Sequence, residues 1–201
     1  MNSIAQKINK QIKVKKPGSV FTPMDFQEVG SRDAIHQTLS RLAKSKVIRR
    51  LGQGVYEKPK VSKFGILPPN ASLVAEALAR STQSKLQVSE AYAANKLGLT
   101  TQVPAKFIYY IEGTSRSRKI GNQEIIFKRA TPKRMVGAGK KVGIIIQAFR
   151  YFGVNNIDDM VLEKISNKLS PSDKQDLDKV KYALPLWLQD SIEKMQLEYS
   201  Y

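Results

Sequence analysis

The sequence contains no cysteine and only one histidine, His36. Disulfide bonds and thiolate metal sites are therefore excluded, and a single imidazole is too few for a typical zinc site. There is also no apolar run of roughly 20 residues, the length needed to cross a bilayer. The amino terminus lacks the apolar stretch of a secretory signal. These absences predict a soluble cytoplasmic protein that binds neither metal nor membrane.

Motifs of common enzyme classes are missing as well. The sequence has no GxxxxGK[ST], GxSxG or HExxH, and His36 lacks the nucleophile and orienting partner that a general base needs. Carboxylates cluster at Asp158-Asp159 and at Asp173, Asp176 and Asp178. They fall at predicted helix starts, where acids cap a helix and complement its dipole, so caps are favoured over Mg²⁺ ligands. We therefore expect no catalytic residue and no cofactor.

Positive charge is abundant and unevenly distributed. Lys and Arg number 34 against 17 Asp and Glu, a net charge of +17. Residues 1–68 carry 14 basic and 4 acidic side chains, residues 69–141 carry 13 and 4, and residues 142–201 carry 7 and 9. Such charge attracts polyanions. The first two thirds are expected to bind a nucleic acid, and the acidic last third to serve another role.

Two short helices are predicted near the amino terminus. Ile4, Ile8 and Ile12 recur every four residues, the spacing of an apolar helix stripe. A second helix is predicted to begin with Thr22 as its N-cap, followed by proline and an acidic residue in the first turn. Gly30 is expected to end this helix as a left-handed C-cap.

A third helix is predicted from the cap Ser31 to about Lys44. Its buried face consists of Ile35, Leu39 and Leu42. Because only two residues separate this helix from the preceding one, the two must cross steeply, as in a helix-turn-helix. Strands at 48–51 and 55–58 then flank Gly52-Gln53-Gly54, a spacing typical of a tight hairpin. Three helices followed by a basic hairpin indicate a winged helix.

The remaining chain predicts a second domain after a proline-rich linker at residues 59–70. It reads as two helices, a strand, a hairpin with Gly121-Asn122 at its turn, and four further helices. The predicted spans are 71–80, 90–98, 105–112, 140–152, 158–168, 172–182 and 185–197. The expected fold is α+β, with a winged helix-turn-helix at 1–62 and an α+β domain with a helical tail at 63–201.

The exposed face of the third helix supplies the predicted DNA contacts. A recognition helix enters the major groove, where Arg pairs with guanine and Gln with adenine. Gln37 and Arg41 lie one turn apart and are predicted to read bases, while Arg32 is expected to reach a base or a phosphate. Further contacts are predicted on the same helix at Ser31, His36, Ser40 and Lys44.

Two basic hairpins add further candidates. Arg49, Arg50 and Gln53 belong to the predicted wing, which is expected to lie along the backbone or the minor groove. Strand alternation predicts that one of the two arginines points inward. A second cluster is interpreted as another DNA contact, with a docking face for an acidic partner or simple solubility as alternatives. Its members are Arg116, Arg118, Lys119, Lys128, Arg129, Lys133, Arg134, Lys140 and Lys141.

Residues 1–135 resemble the AbiEi-like family of bacterial antitoxins and transcriptional regulators. The resemblance is carried by GSVFTPMDFQEVGSRDAIHQTLSRLAKSKVIRRLGQGVYEKP and, more diagnostically, by SEAYAANKLGLTTQVPAKFIYYIEGTSRSRKIGNQEIIFKRATPK. It implies an operator-binding winged helix that represses a shared promoter, using the helix with Arg32, Gln37 and Arg41 and the wing with Arg49 and Arg50. It also implies a nucleotidyltransferase-like toxin, neutralised without a stable complex, as in type IV systems.

The expected function is therefore sequence-specific binding of double-stranded DNA by a repressor. It would be the antitoxin of a type IV system that regulates its own operon, and two copies are expected on paired half-sites. Three alternatives remain open at this stage: an RNA-binding module that uses the second hairpin, a stand-alone regulator without a toxin, and an enzyme acting on nucleic acid.

Overall fold

The computed structural model describes residues 3–199, which form a mixed α+β fold. Residues 1, 2, 200 and 201, the outermost residues of the two predicted domains, lie outside the described part. The chain divides into two units. The first contains residues 3–84 together with 117–125, and the second contains 85–116 together with 126–199. Among residues 3–199, no helix is long and apolar enough to span a bilayer.

The first unit combines three α-helices, one 3-10 helix and two small sheets. In chain order its elements are α1 (Ile4–Val14), β1 (Val20–Phe21), a 3-10 helix (Pro23–Val29), α2 (Arg32–Lys44), β2 (Arg49–Gly52), β3 (Val55–Glu57), β4 (Val61–Ser62), β5 (Gly65–Ile66) and α3 (Ala71–Ser81). Strands β1, β3 and β2 form an antiparallel sheet with β3 in the middle, and β4 pairs with β5 in a separate hairpin.

The second unit combines five α-helices, two 3-10 helices and most of a four-stranded sheet. Its elements are β6 (Leu86–Val88), α4 (Glu90–Lys96), β7 (Phe107–Ile111), β8 (Arg116–Ile120), β9 (Gln123–Arg129), a 3-10 helix (Pro132–Arg134), α5 (Lys141–Phe152), a 3-10 helix (Val154–Asn156), α6 (Asp159–Ser166), α7 (Pro171–Lys181) and α8 (Leu186–Glu198). The sheet order is β6-β7-β9-β8. The end of the β8–β9 hairpin, residues 117–125, belongs to the first unit.

Apolar side chains from α1, α2 and the first sheet form one core in the first unit. Ser3 begins α1 with a capping box, in which its hydroxyl accepts from the Gln6 amide and the Gln6 side chain accepts from the Ser3 amide. The predicted helices at the start of the chain and after Ser31 are confirmed as α1 and α2. The buried members of the core are Ile8, Ile12, Phe21, Phe26, Ile35, Leu39, Ile48 and Tyr56.

The predicted second helix is a 3-10 helix. Phe26 is buried and Val29 packs against the core, and this spacing of three residues matches the three residues per turn of a 3-10 helix. Met24, the third apolar residue of this helix, faces solvent. The Thr22 amide donates to Asp25 Oδ2 at 2.7 Å, so the predicted start is confirmed.

The expected left-handed cap at Gly30 is wrong. This residue has an extended backbone with φ 172°, which any residue can adopt. The structure favours glycine there for a steric reason. A Cβ at this position would lie 2.8 Å from Cγ1 of Ile4, so the Ile4 side chain would have to shift to make room for it.

The first unit extends beyond the boundary predicted at residues 62 and 63. Helix α3 packs against β1 and the 3-10 helix, and its Val74, Ala75 and Ala77 are fully buried. Arg80 reinforces this packing, because its guanidinium donates to the Val20 carbonyl and to Asp25, each at 3.2 Å. The proline-rich segment before α3 is not a plain linker, because it contains the β4–β5 hairpin.

A close backbone approach shapes the second unit around the start of α5. A Cβ on Gly143 would meet the Gly137 carbonyl group and would lie 2.7 Å from Nε2 of Gln87. Gly137 has a φ of +73°, a left-handed conformation that favours glycine. Two glycines thus let the loop before α5 lie directly on its first turn. The predicted strand, hairpin and four carboxyl-terminal helices are confirmed, with ends within a few residues of those expected.

Two acidic residues of the tail, Asp158 and Asp173, lie at helix starts, as predicted. Asp176 and Asp178 lie inside α7 instead, so their predicted place at a helix start is wrong. Asp158 Oδ1 accepts from the Val161 amide at 2.8 Å, at the start of α6. Asp173 Oδ2 accepts from Lys141 Nζ at 2.8 Å and from the amide and hydroxyl of Ser170 at 2.9 and 2.7 Å. These donors, with Lys141 foremost, lower the pKa of the Asp173 carboxyl to about 2.

We expect this carboxylate to stabilise the fold at neutral pH. Its folded pKa lies below its ordinary value of 3.8, so its contribution is present above that pH and is lost as the pH falls towards 2. Urea unfolding of wild type and Asp173→Asn between pH 6 and 2 checks this. The wild type should be more stable at pH 6, and the two curves should converge at pH 2. A difference that is constant across this range would contradict the expectation.

Candidate nucleic-acid interface

The packing of α2 leaves one long face of this helix uncovered. Ile35 and Leu39 are buried and Leu42 packs against the same core. Thr38, also buried, donates its hydroxyl to the Ala34 carbonyl at 2.7 Å, which satisfies this polar group within the helix. The apolar side of α2 is therefore packed against the core, and the other half of the helix faces solvent.

The uncovered half carries the α2 side chains predicted to contact DNA. At about 100° per residue, the predicted residues within the helix fall in one half of its circumference, and Ser31 caps its start. Ser40 is half-buried and the others are exposed. Ser31, at the helix start, accepts from the Ala34 amide at 3.5 Å. The structure brings together Ser31, Arg32, His36, Gln37, Ser40, Arg41 and Lys44.

The charged and amide groups on this face have no protein partner. In the described part of the chain, no hydrogen bond or ion pair involves the side chains of Arg32, His36, Gln37, Arg41 or Lys44. Gln37 and Arg41 are separated by four residues, about 6 Å along the helix axis, so both point to the same side. Such groups are already extended towards solvent and need break no internal contact to bind a ligand.

The β2–β3 hairpin presents a second exposed polar surface in the first unit. Val55 and Tyr56 on β3 are buried, whereas Arg50 and Gln53 are exposed. The strand register shifts between Arg50 and Gly52, and Gly54 takes a φ of +69° at the turn. Arg50 makes a long contact of 3.4 Å from Nε to the Gly52 carbonyl, so its two terminal nitrogens remain available.

Arg49 does not belong to this exposed surface. Its guanidinium pairs with Glu57, whose side chain is 2% exposed, and also donates to the Leu67 carbonyl at 2.8 Å. The strand register places Arg49 directly opposite Glu57. The prediction that one of the two arginines points inward is thus confirmed, and the structure identifies Arg49 as that residue. Its guanidinium links β2 and β3 to the segment after β5, and its predicted contact with DNA stays a prediction.

The second basic cluster is divided between the two units. Arg118 and Lys119 are exposed near the end of the β8–β9 hairpin, which belongs with α2 in the first unit. Arg116 is half-buried, with its guanidinium carbon 5.1 Å from the centre of the Phe127 ring, in the second unit. Two further predicted contacts of the second unit are exposed: Lys128 and Arg129.

The remaining basic residues of that cluster are mostly paired. Arg134 forms an ion pair with Glu90 and stacks over Tyr110, 4.5 Å from the ring centre. Burial, followed by the hydrogen bond to Glu90, raises the pKa of Tyr110 to about 12. Two lysines, Lys140 and Lys141, pair with carboxylates of α7 at 3.0 and 2.8 Å. Because these cations already have partners, they are poor candidates for phosphate contacts.

One basic surface was missed by the sequence analysis. The segment 59–70 was interpreted as a linker because it contains three prolines, yet its middle forms the β4–β5 hairpin with Lys63 and Phe64 at the turn. Each of its two strands has only two residues, which is too short to show the alternation of apolar and polar side chains that identifies a strand. The glycine at position 65, with a φ of +105°, was the one available signal of a tight turn.

Residues 7–177 match the model of DUF6088, described as a family of unknown function. The chain belongs to the DUF6088 family. No curated protein matches this DUF6088 member. A similar solved structure is the crystal structure of the RV2827C protein from Mycobacterium tuberculosis, with 13% sequence identity and a TM-score of 0.46. That similarity covers 96% of this chain and 79% of the RV2827C chain.

Proposed function

We propose that this DUF6088 protein binds double-stranded DNA through a winged helix-turn-helix in its first unit. In this proposal α2 is the recognition helix, the 3-10 helix is the preceding helix of the motif, and the β2–β3 hairpin is the wing. The single observation that carries the proposal is the uncovered face of α2, where Arg32, Gln37 and Arg41 have no partner among residues 3–199. An amphipathic helix with a free Arg and Gln face suits the major groove.

The side chains would divide between positioning and base recognition. Gln37 and Arg41, one turn apart, present two-donor or donor–acceptor groups that match adenine and guanine edges. The cationic Lys44 and the start of α2 at Ser31 suit phosphates, since the helix N-terminus adds partial positive charge. Arg50 and Gln53 would follow the backbone or the minor groove. Phosphate contacts would supply most of the affinity, and base contacts the selectivity.

Arg41→Ala and Lys44→Ala should weaken DNA binding in different ways. Arg41→Ala should cost about 1–3 kcal/mol and relax preference at one base pair. Lys44→Ala should weaken all duplexes alike and lower the slope of log affinity against log salt by about 1. The probe is a duplex enriched by the wild-type protein from a random-sequence library, compared with a random duplex by fluorescence anisotropy at several salt concentrations.

Lys164→Ala is the matched control, because Lys164 is an exposed lysine of the acidic tail in the second unit. It should change neither affinity nor salt slope. A structured RNA serves as competitor and tests binding through the exposed Arg118 and Lys119. If the triple variant Arg32→Ala, Gln37→Ala, Arg41→Ala binds the enriched duplex as tightly as wild type, the assignment of α2 is wrong. Tighter binding to RNA would favour an RNA-binding module.

We further propose repression of the protein's own promoter and an antitoxin role, which rest on the resemblance to AbiEi-like regulators. A reporter fused to the DNA upstream of the gene should be repressed by wild type and not by the triple α2 variant. Co-expression with a neighbouring nucleotidyltransferase-like gene should restore growth that this gene alone arrests. Repression without any such rescue would indicate a stand-alone regulator instead.

A further inference from the structure

The β4–β5 hairpin exposes apolar side chains. Phe64 at its turn is 88% exposed, Val61 on β4 is 69% exposed, and Ile66 on β5 is 58% exposed. Isolated apolar residues on a surface need no explanation, but here three of the six residues of one short hairpin are apolar and exposed, and Val61 lies opposite Ile66 in the strand pairing. A phenylalanine ring that is this exposed adds little hydrophobic free energy to folding, whereas a ligand that covered the ring would gain that free energy on binding.

The turn holds Phe64 in a defined position. The Ser62 hydroxyl accepts from the Phe64 amide at 3.2 Å and donates to the Gly65 carbonyl at 3.1 Å. Gly65 takes the positive φ that closes the turn, so the two residues at its tip keep ordinary backbone conformations. The ring therefore projects from a turn whose backbone is held by two hydrogen bonds to the Ser62 hydroxyl.

The base of the hairpin is fixed to the β1-β3-β2 sheet. The Leu67 amide donates to the Lys60 carbonyl at 2.9 Å, which closes the two strands below their last pair. The carbonyl of the same Leu67 accepts from Arg49, whose guanidinium is paired with the buried Glu57. Arg49 thus connects the hairpin to the sheet that carries the proposed wing.

The chemistry around Phe64 is cationic. Lys60 precedes Val61 and Lys63 precedes Phe64; both lysines are exposed, and Lys63 Nζ lies 4.9 Å from the centre of the Phe64 ring. The sequence contains no acidic residue between Glu57 and Glu76. An exposed ring beside cations complements a polyanion that has flat apolar surfaces. Duplex DNA fits this description better than an acidic protein face does.

We propose that the β4–β5 hairpin is a wedge for the minor groove, in which Phe64 inserts between base pairs while Lys60 and Lys63 contact the flanking phosphates. Apolar wedges of this kind unstack a base step and kink the duplex towards the major groove. The inference rests on the proposed function, because the wedge acts while α2 holds the same duplex. It adds a contact that depends on DNA deformability as well as on base edges.

Phe64→Ala should lower affinity for the enriched duplex by about tenfold, because one aromatic–base contact is removed. Val14→Ala is the matched control: Val14 is an apolar residue of the first unit with 81% exposure and lies on α1. It should leave the affinity unchanged. Phe64→Leu retains an apolar wedge and should recover part of the loss. Thermal unfolding of Phe64→Ala should match wild type, since the ring contributes little to the fold.

DNA bending and groove competition distinguish a wedge from a simple surface contact. Energy transfer between dyes at the two ends of the duplex should report a kink with wild type that is much smaller with Phe64→Ala. Prior binding of distamycin, a minor-groove ligand, should reduce wild-type affinity more than that of Phe64→Ala.

Three results would overturn the wedge. Equal affinity and bending for wild type and Phe64→Ala would show that Phe64 does not touch DNA, while α2 binding remains intact. Loss of self-association in Phe64→Ala, seen by sedimentation, with unchanged DNA affinity would assign the hairpin to a contact between copies. Failure of the wild type to bind any duplex would reject the proposed function itself, and the wedge with it.

Discussion

Arg49→Ala is expected to lower the free energy of unfolding by about 3 kcal/mol, whereas Arg50→Ala should change it by less than about 0.5 kcal/mol. The two residues are neighbours with identical side chains. Arg49 compensates the carboxylate of Glu57, which is 2% exposed, so its removal leaves a buried charge without a partner. Arg50 is exposed, and its loss should affect DNA binding instead of folding.

Urea unfolding followed by circular dichroism measures both variants, and duplex binding by Arg50→Ala supplies the functional readout. The double variant Arg49→Met, Glu57→Leu is the control, because it removes both charges together and should recover much of the stability lost in Arg49→Ala. Equal unfolding midpoints for the two single variants would show that the Arg49–Glu57 pair does not stabilise the sheet.

Gly143→Ala should destabilise the second unit by about 3 kcal/mol. An alanine inside a helix is normally more stable than glycine by roughly 0.5–1 kcal/mol, so this prediction reverses the usual sign. The reason is steric. The added Cβ would meet the Gly137 carbonyl group and the Gln87 side chain. Gly137 cannot retreat easily, because its left-handed backbone already fixes the loop against α5.

Gly113→Ala is the matched control within the same unit. A Cβ there would meet only Ile111 Cδ1, at 3.8 Å, an ordinary van der Waals distance. Thermal unfolding should show a lowered midpoint for Gly143→Ala and little change for Gly113→Ala. If Gly143→Ala unfolds at or above the wild-type temperature, the close approach between α5 and the loop before it is wrong.

Helix periodicity and capping chemistry predicted most elements, since both depend on neighbouring residues. Ser31 as a cap and the i, i+4 spacing of Ile35 and Leu39 sufficed to locate α2. The 3-10 helix was harder, because Met24, Phe26 and Val29 fit a loose α-helical stripe equally well. The three-residue spacing of a 3-10 helix is seen only in the packing, because the core covers Phe26 and Val29 and leaves Met24 exposed. Tertiary packing of this kind cannot be predicted from the neighbouring residues alone.

The candidate site shows the same division between local and distant information. The exposed face of α2 follows from its own periodicity, so its side chains could be predicted from sequence. The inward arginine of the β2–β3 hairpin was anticipated, but identifying Arg49 required the register opposite Glu57. The exposed Phe64 was not predicted, because a two-residue strand shows no side-chain alternation and the prolines on both sides indicated a linker.

The first unit is assembled from two separate stretches of chain, with residues 117–125 returning to it after the second unit has begun. Within it, the buried Ile120 lies near Gly52 of the β2–β3 hairpin. A fragment that ends at Ser84 would lack this segment and would expose the surface that it covers. A single crossover at the end of α3 therefore cannot exchange the first unit intact, because residues 117–125 would stay with the other parent.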